Sequence, residues 1–186
     1  MKHQIFTLPN KISLSRICCI PLLVFCIMQV QHNNYYRYAC LFIMLLIGLS
    51  DVMDGYFARK RNEITDLGKY IDPVADKLVL MTTCIILSSD HIWPEPRFPR
   101  WIPTVIVGRD LILMFGTITV LIITGRIACQ PIMLGKLATF FQIIAIISVF
   151  IGNHIPLPTL LTIWWTTATF TAVSGIFYLY RGIRQL

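Results

Sequence analysis

Between Asp51 and Asp76 the chain places six of its nine acidic residues (Asp51, Asp54, Glu63, Asp66, Asp72 and Asp76), and the sequence on both sides is strongly apolar. Carboxylates in such surroundings are costly unless their charge is compensated. Asp51 and Asp54 are three apart, and Asp72 and Asp76 four apart, so each pair shares one face of a helix. Two helices carrying these pairs, joined by a short polar turn, would bring four carboxylates to one point and require a cation there. An oxygen-only ligand set suits a hard divalent ion, Mg²⁺ or Mn²⁺, and Mg²⁺ commonly binds through carboxylates together with substrate phosphates. The stretch therefore points to a metal-dependent phosphate site inside a membrane protein.

Composition supports the membrane setting. Of 186 residues, 56% are hydrophobic and 13% charged, and the mean hydropathy is +0.70, values outside the range of ordinary soluble domains. The length fits a single domain over residues 1–186. A net charge of +7 would ordinarily raise the question of nucleic acid. Here the basic residues flank apolar runs, as suits an anionic inner leaflet, so no nucleic-acid partner is expected. Six cysteines (Cys18, Cys19, Cys26, Cys40, Cys84 and Cys129) lie in or beside apolar runs without a CxxC pair, and read as buried free thiols rather than disulfides or zinc ligands.

The expected architecture is an all-α bundle of six transmembrane helices after a short interfacial segment, residues 1–10, closed by Pro9 and Asn10. The spans are predicted over about 12–30, 35–57, 67–87, 102–124, 133–151 and 159–180. Pro21 is expected to kink the first and Pro73 to bend the third beside the aspartates. No small-residue cleavage site follows the first run, which reads as a retained segment. Trp93, Phe98 and Trp101, in and after the loop SSDHIWPEPRFPR, suit an interfacial belt. Six spans place Lys2, Lys11, Arg16, Arg59, Lys60, Arg61, Lys69, Lys77, Arg126, Lys136, Arg181 and Arg184 on one side. Arg37, Arg97 and Arg100 fall on the other, and Arg109 within a span. Twelve against three predicts that both termini and the aspartate cluster face the cytoplasm.

Read in full, the stretch is Asp51-x2-Asp54-Gly55-x2-Ala58-Arg59-x8-Gly68-x3-Asp72-x3-Asp76. It resembles the complete signature of the CDP-alcohol phosphatidyltransferases, eight positions at the family's spacing. Helix capping and pairing with Arg59, Lys60, Arg61 and Lys69 would not call for acid pairs on both sides of the turn, and the spacing is not that of an EF-hand. The resemblance implies phosphatidyl transfer from CDP-diacylglycerol to an alcohol, with release of CMP. It implies two divalent ions (Mg²⁺ or Mn²⁺) on Asp51, Asp54, Asp72 and Asp76, with Asp76 also the general base, and a homodimer among membrane lipids. Gly55, Ala58 and Gly68 would line the nucleotide pocket; Gly55 and Ala58 equally suit close helix packing. Arg59 would meet phosphate oxygens or anchor the topology.

Outside the signature, LPNKISLSR is similar to the first segment of phosphatidylglycerophosphate synthases, which would bring Asn10 and Arg16 to the diphosphate. Arg109 and Asp110 lie about ten residues into the fourth span, where intramembrane charges serve a site or pair with one another. Lys136 and Thr139, in LGKLATFFQ, match part of a GKxKT-like family segment. Arg109, Lys136 and Thr139 are therefore the candidate acceptor residues. The overall resemblance, GKYIDPVADKL included, favours glycerol 3-phosphate as acceptor. Two departures favour phosphatidylglycerol and cardiolipin synthesis instead. Thr117 stands where a second arginine is usual and Ala138 where a second lysine is usual, and GRDLIL is more like the cardiolipin synthases.

Two readings from other classes fit less well. Intramembrane prenyltransferases carry their two aspartate motifs far apart on a larger bundle. A divalent-cation transporter would need ligands on several helices, where the remaining spans offer only Asp110.

Overall fold

A computed structural model describes residues 8–61, 68–124 and 133–183, with side chains described for 18–50, 77–119, 122–123 and 133–181. Among these residues the chain is all-helical. It runs α1 (Leu8–Gln29), α2 (Tyr35–Arg61), α3 (Gly68–Ile86), α4 (Trp101–Thr124), α5 (Met133–Phe150), a 3₁₀ turn (Gly152–His154) and α6 (Leu157–Ile183). It divides into two compact units, residues 1–86 with 90–94, and 87–89 with 95–186.

In the first unit α1 is the central helix, packed against both α2 and α3. The pattern of α1 explains this. Leu23, Cys26 and Ile27, with Val30 just past the helix end, are buried while Leu22, Phe25 and Met28 are exposed, so one 3.6-residue stripe faces the partner helices. On α2, Arg37, Cys40, Met44 and Ile47 form the matching buried stripe. The turn between them is closed by Asn33, whose Oδ1 accepts the Tyr35 N–H at 3.0 Å, satisfying one of the donors that a helix start leaves open.

In the second unit α6 is central, packed against α4 and α5. Phe98 meets Trp164 edge-on at 5.6 Å and Phe141 stacks on Phe170 at 4.6 Å. Trp164 donates its indole N–H to Ser148 Oγ at 3.3 Å. Gly152 lies so near the Pro96 ring that a Cβ would collide with it. Pro158 sits in the first turn of α6, where its missing N–H loses no helical bond.

The outward faces are apolar. Phe25, Phe42, Leu49, Phe115, Ile122, Ile123, Trp165 and Ile176 are all more than half exposed. Such a perimeter would aggregate in water and is ordinary in hydrocarbon. Among the described residues, three helices are long and apolar enough to cross a bilayer: Trp101–Thr119, Met133–Phe150 and Leu157–Arg181. In the first unit the apolar stretches, among the described residues, are shorter: Cys18–Gln29, Tyr35–Ser50 and Lys77–Ile86. The helices α2 and α3 also carry the charged residues of the signature.

Other expectations need revision. The lead-in does not stop at Pro9 and Asn10, because α1 begins at Leu8 and takes both into its first turn, a position that tolerates proline. Pro21, where a kink is expected, does lie inside α1. Trp93 and Phe98 are not interfacial: they are 0% and 1% exposed. The Arg37 guanidinium covers Trp93, 4.8 Å from the ring, and Trp164 covers Phe98. Trp101 is partly exposed and tilts against Trp165 at 4.6 Å. The described cysteines are free thiols, but only Cys26, Cys40 and Cys84 are buried; Cys18 is exposed and Cys19 half-buried. Cys129 is outside the described residues.

Candidate functional site

The signature occupies the adjoining ends, in sequence, of two consecutive helices in the first unit. Asp51, Asp54, Gly55, Ala58 and Arg59 lie on the last turns of α2, and Gly68 opens α3, followed within its first three turns by Asp72 and Asp76. Asn10 and Arg16 lie on the early turns of α1, the helix that packs against both. The side chains of all these residues are outside those described, so their assignment rests on helix position and donor chemistry. That chemistry fits a hard divalent ion: residues 51–76 contain carboxylates but no histidine or cysteine. Among the residues with described side chains, no group of three or more His, Cys, Asp or Glu could hold a metal.

The candidate acceptor residues belong to the second unit, where side chains are described. Arg109 projects from α4 and is only 5% exposed. Its Nη1 donates to Asp110 Oδ1 at 2.5 Å, an ion pair whose aspartate side chain is wholly buried. Its Nη2 donates to Ser174 Oγ on α6 at 2.9 Å. The ring of Tyr178, one turn further along α6, lies 5.8 Å from the guanidinium carbon. Among the described residues Nε has no hydrogen-bond partner. A buried donor of this kind left unmet costs about 1–3 kcal/mol, more when charged, and a ligand oxygen would relieve it.

Both roles considered for Arg109 thus have a physical basis. The ion pair with Asp110 is present, and it does not exhaust the guanidinium. Lys136 is exposed near the start of α5. Thr139 donates its hydroxyl back to Gly135 O at 3.1 Å, a bond within its own helix. Thr117 does the same to Leu113 O at 2.7 Å, and Ala138 is fully buried. Neither position therefore supplies a cation.

Three residues of this cluster escape sequence reasoning: Gly135, Ser174 and Tyr178. A signal for two of them exists in α6. Trp164, Thr167, Thr171, Ser174 and Tyr178 recur at intervals of three and four in an otherwise apolar helix, the pattern of a polar stripe turned toward neighbouring helices.

An all-helical chain with a lipid-suited perimeter and a carboxylate motif split across two helices defines an intramembrane enzyme of phosphate chemistry. The chain belongs to the CDP-alcohol phosphatidyltransferase family, whose model matches residues 6–174, and it is a transferase. It is 33% identical to a CDP-diacylglycerol–glycerol-3-phosphate 3-phosphatidyltransferase of Bacillus subtilis, over 97% of each chain. With a protein of the same name from Aquifex aeolicus it shares 34% identity, over 78% of this chain and 76% of that one. A cardiolipin synthase (CMP-forming) of Streptomyces coelicolor is 32% identical over 74% of this chain and 61% of its own.

Proposed function

We propose that this chain is a phosphatidylglycerophosphate synthase. In this reading it transfers the phosphatidyl group of CDP-diacylglycerol to glycerol 3-phosphate and releases CMP. The observation that carries the reading is the similarity over 97% of both chains to the Bacillus subtilis CDP-diacylglycerol–glycerol-3-phosphate 3-phosphatidyltransferase. The enzyme has six membrane spans, with both termini and the aspartates facing the cytoplasm, and works as a homodimer. The lysine and arginine distribution supports that orientation.

Asp51, Asp54, Asp72 and Asp76 would hold two divalent ions, which would supply charge neutralisation for the diphosphate and the departing CMP. Asn10, Arg16 and Arg59 approach the diphosphate, and Gly55, Ala58 and Gly68 leave room for the cytidine. Asp76 accepts the proton of the acceptor hydroxyl. The freed oxygen bonds to the phosphorus bearing the lipid as the bond from that phosphorus to CMP breaks. Carboxylates beside cations are weak bases, so Asp76 must be the least committed of the four ligands to act in this way.

Arg109 and Lys136 hold the acceptor phosphate, with Thr139 beside them. Since Asp110 offsets the charge of Arg109, Lys136 supplies the net positive charge. The second reading, cardiolipin synthesis from phosphatidylglycerol, is favoured by the absence of cations at Thr117 and Ala138 and by the similarity to the Streptomyces protein. Purified enzyme offered glycerol 3-phosphate, phosphatidylglycerol, inositol phosphate and serine separates the two. Release of CMP with formation of phosphatidylglycerophosphate is expected, and turnover of phosphatidylglycerol alone would replace this reading with the second.

A further inference from the structure

An arginine reaching from one helix into the packing of two others carries roughly 2 kcal/mol of side-chain entropy. Beside Asp110 it also has an obvious wrong place to go. In a medium of low dielectric the guanidinium gains most by turning both of its Nη groups onto that carboxylate, which would leave little of it for a ligand.

Contacts from α5 and α6 hold it elsewhere. The Arg109 stem runs across Gly175 so closely that a Cβ there would lie 3.3 Å from Cγ and 3.8 Å from the arginine's own Cβ. Its Nη2 ends on Ser174 Oγ at 2.9 Å, and Ser174 is fully buried. At Gly135 of α5 a Cβ would lie 3.3 Å from that same Nη2 and 2.9 Å from the Tyr178 hydroxyl. The side chain therefore lies in a slot bounded by two glycines, with a neutral oxygen holding one end and a carboxylate the other.

We propose that Ser174 is a positioning residue for acceptor binding: it holds Arg109 across α4 and α6 in the slot between Gly135 and Gly175, so that Asp110 takes Nη1 alone. Nε and the remaining Nη hydrogens are then left for the acceptor phosphate. This rests on the reading that Arg109 binds the acceptor. A serine suits the position because its hydroxyl anchors the guanidinium without adding a second negative charge, which would repel a phosphate. Gly135 is small for a related reason. A methyl group there meets the Tyr178 hydroxyl and Nη2 together, and cannot be accommodated without moving the guanidinium.

The test uses the full-length enzyme in detergent, with acceptor and CDP-diacylglycerol varied separately. Ser174→Ala and Ser174→Cys, the second filling the space with a poor acceptor, should each raise the KM for glycerol 3-phosphate about ten-fold. The KM for CDP-diacylglycerol and the melting temperature should stay near wild type. Gly135→Ala should give the same split. If Arg109→Gln raises the acceptor KM while both Ser174 variants stay within two-fold of wild type, the positioning role is overturned and the role of Arg109 stands. Should Arg109→Gln leave the acceptor KM unchanged, the acceptor reading itself fails and this inference fails with it. Loss of affinity for both substrates in step with a lower melting temperature would make Ser174 a packing residue and overturn the proposal.

Discussion

The Arg37 guanidinium lies 4.8 Å above the centre of the Trp93 ring, and both side chains are withdrawn from solvent at 3% and 0% exposure. Arg37 Nη2 also donates to Pro94 O at 3.4 Å, and Gln31 Nε2 donates to His91 O at 2.5 Å. The segment 90–94 is thereby fastened to the turn and first residues that open α2. A desolvated cation–π pair of this kind contributes about 2 kcal/mol, and complete burial of the indole more. Trp93→Ala should destabilise the protein by about 3–5 kcal/mol. Arg37→Lys should have a smaller but measurable effect, since an ammonium cannot both cover the ring and reach Pro94 O. Thermal melting in detergent checks both, and a melting temperature unchanged in Trp93→Ala would refute the role given to this contact.

Gln142 is fully buried on α5, with Nε2 3.5 Å from Thr171 Oγ1 on α6 and, among the described residues, no partner for Oε1. Polar contacts between membrane helices average only about 0.6 kcal/mol, and one unmet acceptor offsets a bond this long. Gln142→Met should therefore leave the melting temperature unchanged or raise it, despite total burial. A marked fall would show that Oε1 is in fact bonded, through water for example.

The four signature aspartates give a prediction about metal. Activity should require Mg²⁺ or Mn²⁺, be abolished by EDTA, and be lost in Asp51→Asn and Asp72→Asn, because a set of oxygen donors favours a hard cation. Turnover undiminished in chelator would end this reading. Asp76→Asn should lower kcat by about 10²–10⁴-fold, the usual contribution of a general base, with CDP-diacylglycerol binding less affected. Parallel losses of rate and binding would make Asp76 chiefly a metal ligand.

How much could be read from the sequence depended on the kind of signal. The helices were legible because charge and proline punctuate long apolar runs: α4 and α5 begin and end within a residue of expectation. The start of α1 was not, because Pro9 looks like a stop and serves instead as a first-turn residue. Hydropathy also misassigned Trp93 and Phe98. An aromatic residue in a polar loop reads as interfacial until a partner such as Arg37, more than fifty positions away, is brought over it. The site divides in the same way. The aspartates, Arg109 and Lys136 carry charge, which is conspicuous in an apolar chain. Ser174 and Gly135 matter through shape and one neutral hydroxyl, and only packing makes that visible.

The last prediction concerns the acceptor, and the charge balance around Arg109 decides it. Asp110 lies against the guanidinium, so the pair together presents little net charge to a phosphate. Thr117 and Ala138 add none, which leaves Lys136, among the candidate acceptor residues, as the cation on which affinity for a small phosphorylated acceptor should depend. A charge-assisted contact to phosphate contributes about 1.5–3 kcal/mol, so Lys136→Ala should raise the KM for glycerol 3-phosphate about ten-fold or more. Affinity for CDP-diacylglycerol should be nearly unchanged. Because Lys136 is exposed, its contribution is open to screening, and wild-type KM should rise with ionic strength. Lys136→Ala should lose most of that salt dependence. A membrane-borne acceptor would behave differently, since phosphatidylglycerol is held chiefly by its chains and by the bilayer. Wild-type enzyme that turns over phosphatidylglycerol and ignores millimolar glycerol 3-phosphate would therefore assign the chain to cardiolipin synthesis.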